Sequence, residues 1–162
     1  MEFPHPGIGL GDAVPEDRAA LARTQADNVL RHTGDNPLVI VGRSAGGNVA
    51  HLVAHRLESS GRAATGLVLL DTYHITPANS GTDWLLSLAA PPPQATGQPA
   101  LTADDDTALA AMGAYIRIFL DWHPEPVSTP ALLVRALQPT PAVAAATDAD
   151  GWRTSWTSPA TI

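Results

Sequence analysis

The chain has 162 residues, 44% of them hydrophobic and 15% charged, which fits one globular domain and excludes a disordered or fibrous protein. Nine arginines, no lysine and sixteen acids give a net charge of −7 without a basic stripe, so phosphate neutralisation on a nucleic acid is excluded. The absence of cysteine removes disulfides, thiolate metal sites and cysteine nucleophiles, and no apolar run approaches the ~18 residues of a membrane span.

Residues 1–14 carry Pro4, Pro6, Gly7, Gly9 and Gly11 and read as loop. The opening Met1-Glu2-Phe3-Pro4 lacks the basic-then-apolar profile of a signal peptide, so a soluble, cytoplasmic protein is expected. Pro15-Glu16-Asp17 opens a helix, with its acids against the positive dipole end and Ala19, Ala22, Ala26, Val29 and Leu30 at helical spacing. Gly34 stops it. Pro37 to Val41 has the branched residues of a buried strand. A second helix is expected from Ala45 to Ser59, with a core stripe of Val49, Leu52, Val53 and Leu57, closed by Gly61. Leu67 to Leu70 is the next strand. Strand, helix, strand at this spacing is a βαβ unit, so the two strands are expected to be parallel neighbours.

The next strand, Ala131 to Ala136, comes about 60 residues later, far more than a crossover needs. Between them lie a short apolar helix around Trp84-Leu85-Leu86, a proline loop at 91–93 and a helix from Asp104 to Trp122. The segment at about 80–124 therefore reads as a helical insertion over the sheet, a lid. From Gln138 onward no periodicity is clear.

Gly42-Arg43-Ser44-Ala45-Gly46 matches G-x-S-x-G, and it follows a strand and opens a helix, the context a nucleophile elbow requires. Gly42 and Gly46 let the strand and helix backbones pass closely while the serine is held strained and exposed. The Ala45 N–H then supplies an oxyanion-hole donor at the helix N-terminus. Asp71 ends the neighbouring strand, 27 residues after Ser44, and both residues fall at the carboxyl edge where open α/β sheets gather catalytic groups. Asp71 is the candidate orienting acid.

These residues resemble a family: the thioesterase domains at the ends of modular polyketide synthases, within the α/β hydrolases. The resemblance is carried by Gln25-Ala26-Asp27-Asn28-Val29, Val41 through Gly47, Leu69-Leu70-Asp71-Thr72-Tyr73, Met112-Gly113-Ala114-Tyr115 running to Trp122-His123-Pro124, and Trp152-Arg153-Thr154-Ser155-Trp156. It covers nearly the whole chain. It implies a partial α/β-hydrolase fold, a mostly parallel sheet with flanking helices and a lid, in one domain over 1–162. It implies Ser44 as acyl-accepting nucleophile, Asp71 as triad acid, and Tyr73 with the insertion helices lining the substrate channel. The implied partner is an acyl carrier protein bearing a thioester-linked chain; no metal or cofactor is needed, because acyl transfer requires only nucleophile, base, acid and oxyanion donors. Arg43 stands where the family usually has histidine, a position the motif leaves free.

A triad also needs a base. His51 and His55 stand at i, i+4 on the elbow helix, opposite its apolar stripe, and read as a polar helix face rather than a metal pair. His51 is also about 10 Å along the helix from Ser44, too far to take its proton. His32 complements the dipole at the end of the first helix. His123 precedes the late strand and is expected at the wrong edge; His74, three residues past Asp71, is expected at the right one, and His5 is a second candidate there. In this fold, however, the base comes from a loop after the final strand. In the resembled family that loop lies beyond the tryptophan segment, and the second oxyanion loop lies upstream of the proline–glycine opening. The chain is thus expected to be the middle of a thioesterase domain, truncated at both ends and nearly inactive, since losing a triad base costs on the order of a million-fold. Three functions follow: a thioesterase releasing a polyketide acyl chain, a non-catalytic remnant of such a domain, or a general carboxylesterase.

Overall fold

The computed structural model describes residues 1–7, 13–74, 103–138 and Trp156. Helix α1 (Arg18–Thr33) leads into β1 (Val39–Arg43), α2 (Ala45–Ser59) and β2 (Gly66–Leu70); α3 (Ala103–Phe119) and β3 (Ala131–Val134) follow. The three strands form one parallel sheet in the order β1-β2-β3.

α1 begins later than its acids implied. Asp17 is the N-cap rather than a first-turn residue: its backbone is extended and its carboxylate accepts the Ala20 N–H at 2.7 Å. At the other end Gly34, at φ +55°, returns its N–H to the Leu30 carbonyl, as the glycine stop required. β1 is shifted two residues past the expected Pro37–Val41. Pro37 has no N–H for a ladder, and the pairing with Gly66–Leu70 carries the strand through Gly42 and Arg43 up to the serine. β3 is shorter than expected, ending at Val134. α3 ends at Phe119, and Trp122 closes the turn with its N–H on the Phe119 carbonyl. The expected helix at 84–86 and the proline loop at 91–93 lie outside the described residues, as does most of the tryptophan segment.

One face of the sheet carries the core. Leu67, Leu69 and Ala131 are at most 1% exposed, and α2 packs on β1 and β2 through Val49, Ala50, Val53 and Leu57. Leu21, Ala26 and Val29 of α1 extend this cluster. Each fully buried leucine contributes about 1.5–3 kcal/mol. The opposite face is open: Val39, Val41, Leu132 and Val134 are 43–59% exposed.

α2 is covered on more than its apolar stripe, which corrects the polar-face expectation for His51. His51 is fully buried, because Trp122 and Trp156 close over it with ring centroids 5.5 and 5.3 Å away. His55, one turn on, is half-buried and pairs through Nε2 with Glu125 at 2.8 Å. Glu58 reaches the segment before β3, where its carboxylate accepts from the backbone N–H and hydroxyl groups of Ser128 and Thr129.

Candidate active site

β1 delivers Ser44 and β2 delivers Asp71 at matching heights. Arg43 pairs with Leu70 in the parallel register, so the next residue on each strand stands at the same carboxyl edge, about 5 Å apart between strand axes. The Ser44 N–H donates to the Leu70 carbonyl at 2.9 Å and fixes this spacing. Among the described residues, only Ser44 (φ +50°) and Asp71 (φ +47°) are non-glycine residues with positive φ. Such backbones cost about 1–3 kcal/mol each and persist only where the surroundings over-determine them.

Ser44 is exposed and occupies the N-cap position of α2, yet its side chain makes no capping bond. Its hydroxyl is therefore not committed to the helix. Ala45 is the first helical residue, and its N–H has no partner inside the helix. The close backbone approach is at Gly42, where a Cβ would fall 2.5 Å from the Gly46 carbonyl oxygen and 2.6 Å from the Gly47 Cα. Gly46 itself is roomier than the motif implied, since a Cβ there would meet only the His5 ring at 3.6 Å. Gly47 is the tighter residue: a Cβ would lie 1.9 Å from Thr72 Oγ1.

Asp71 is half-buried and tied to β3. Its N–H donates to the Val134 carbonyl at 2.7 Å, and its Oδ1 accepts the Ala136 N–H at 3.3 Å. Tyr73, two residues on, has its phenol pushed up to about 12 by burial and by the Asp71 charge. Between them Thr72 is fully buried. Asn48, also fully buried, donates its Nδ2–H to the Tyr73 carbonyl at 3.0 Å. Sequence reasoning assigned no role to Gly47, Asn48 or Thr72. The Gly-Gly pair was the one available signal, and its partner lies 25 residues away.

None of the described histidines bonds to Ser44 or Asp71. His74, three residues past Asp71, engages Trp122 instead. It folds back beside α2, where its Nε2–H donates to the Trp122 carbonyl and its ring meets Trp122 and Trp156. His123 joins it, ring to ring at 5.5 Å, so the two lie together rather than at opposite edges. His5 packs on Tyr115 at 5.1 Å near Gly46, and burial lowers its pKa. His51 is lowered further, to about 4, by burial first and then by repulsion from His55 and His74, which Glu58 only partly offsets. Its two ring nitrogens find no partner among the described residues. There, too, no three His, Asp or Glu side chains converge as a metal site, and no helix is long and apolar enough to cross a membrane.

The family model of the thioesterase domain matches residues 2–162. The polyketide synthase GfsE of Streptomyces halstedii is 39% identical over 158 residues, covering 96% of this chain and 4% of that synthase. Among solved structures, the NocB thioesterase domain from the nocardicin cluster superposes with a TM-score of 0.60 at 19% identity, covering 79% of this chain and 54% of that one. The covalent complex of the NocB domain with a fluorophosphonate nocardicin G analog gives 0.60 at 18% identity, covering 79% and 56%. These likenesses agree with the parallel sheet and its serine turn, and the chain belongs to the thioesterase domain family.

Proposed function

We propose that the domain releases an acyl chain from a carrier-protein thioester through an acyl-enzyme on Ser44. The observation that carries this is Ser44 itself: an exposed, uncommitted hydroxyl on a strained backbone at the start of α2, in register with Asp71. In this reaction the Ser44 hydroxyl loses its proton to a histidine base and attacks the thioester carbon. The C–S bond breaks, the thiol leaves with the proton, and water or a substrate hydroxyl then releases the chain as acid or lactone. Asp71 orients the base, the Ala45 N–H stabilises the oxyanion, and Tyr73 lines the substrate channel, with the segment at about 80–124 as lid. The similarity to a polyketide synthase supports a polyketide chain as the cargo.

The test is covalent labelling of Ser44 by a fluorophosphonate, a probe class already captured on the NocB domain. Stoichiometric labelling lost in Ser44→Ala is expected; wild-type protein as inert as Ser44→Ala refutes the proposal. Faster turnover of a simple ester than of an acyl thioester would favour a carboxylesterase. A non-catalytic remnant of such a domain is the second reading, and the same labelling decides between the two.

A further inference from the structure

The strand ladder brings Ser44 and Asp71 to one edge, and its last bond, from the Asp71 N–H to the Val134 carbonyl at 2.7 Å, holds the acid's backbone to β3. Asp71 sits at φ +47°, and among the described residues its side chain makes one long bond, 3.3 Å from the Ala136 N–H. Both bonds tie the acid to β3 and its exit, not to the helix that carries Ser44. The residues that follow it are held from the helix of Ser44: Thr72 fills the space left by the missing side chain of Gly47, and the Tyr73 carbonyl accepts from Asn48. Asn48 is an unusual choice for a buried position. Its Oδ1 has no partner among the described residues, so it buries half of its amide unsatisfied where an apolar residue would carry no such penalty. Among the described residues, the single side-chain bond it makes is to the acid's turn.

We propose that Asn48, beside the Gly47–Thr72 contact, is a positioning residue that ties the turn of Asp71 to the helix of Ser44, so that nucleophile and acid keep one spacing. The effect on Ser44 rests on the function proposed above; the clasp itself does not. In the wild-type chain, NMR should show the Asn48 side-chain amide exchanging at least ~100-fold more slowly than that of the exposed Asn36. In Asn48→Ala and Asn48→Leu, amide exchange at 71–74 should accelerate at least ~10-fold while residues 51–57 stay protected. Fluorophosphonate labelling of Ser44 should slow about 10-fold, and in an Asp71→Asn background the Asn48 substitutions should add nothing, because both act through one group. An unprotected Asn48 amide, unchanged exchange at 71–74, or losses that add to Asp71→Asn would overturn the clasp. A wild-type chain that never labels sinks the acyl-enzyme instead and leaves exchange to decide the clasp.

Discussion

The first turn of α2, Ser44 to Asn48, and the turns from His51 to Glu58 belong to one helix and differ in nearly every physical respect. The first turn starts at a positive φ, lacks a side-chain cap, and touches its neighbours through glycine backbone. The later turns bury His51, Val53, Ala54 and Leu57 to 4% exposure or less and anchor a distant loop through Glu58. The difference shows where the cost and the stability of the fold sit: the later turns hold the helix down so that the first can remain strained and present a hydroxyl.

The largest effect should come from the floor of the first turn. Gly42→Val places side-chain atoms inside van der Waals contact of backbone at 46 and 47 and should cost more than about 4 kcal/mol, seen as loss of the cooperative thermal transition. Gly46→Ala, where only His5 is near, should stay within about 1 kcal/mol of wild type. Equal losses from the two would erase the asymmetry between these glycines.

In the later turns the sensitive residue is His51. The unfolded chain takes up a proton near pH 6.5, whereas the folded His51 resists it until about pH 4. Stability is therefore complete above pH 6.5 and falls as pH drops toward 4, by about 3 kcal/mol for a depression of that size. Denaturant titrations from pH 7.5 to 4 should show this acid limb, and His51→Leu should flatten it. The smallest effect runs in the opposite direction. Ser44→Gly relieves the positive φ and should raise stability by about 1 kcal/mol, while abolishing fluorophosphonate labelling. A destabilised Ser44→Gly would mean the first turn is not strained.

Much of this was legible in the sequence because the βαβ unit is written locally: two branched apolar runs bracket a helix whose stripe has the right period. The ends of the strands were less legible, since the ladder rather than composition decides where β1 stops. His51 was misplaced for a related reason. Helical periodicity tells which side faces the sheet, but not that Trp122 and Trp156, far along the chain, cover another side. At the site, Ser44 and Asp71 follow from motif and strand order, whereas Gly47, Asn48 and Thr72 act across 25 residues and leave no local pattern beyond the Gly46-Gly47 pair.

The grip of Glu58 on Ser128 and Thr129 has a consequence for strand registration. β3 reaches the sheet after about 60 intervening residues, and its four residues alternate between the buried and open faces. A slip of one residue would turn Ala131 and Leu133 outward and force Leu132 and Val134 against the helices. So short a strand discriminates weakly between the two alignments. By fixing the two residues ahead of Pro130, whose carbonyl accepts the Leu67 N–H, Glu58 counts the chain into place. The bond from the Asp71 N–H to the Val134 carbonyl then falls where the acid needs it.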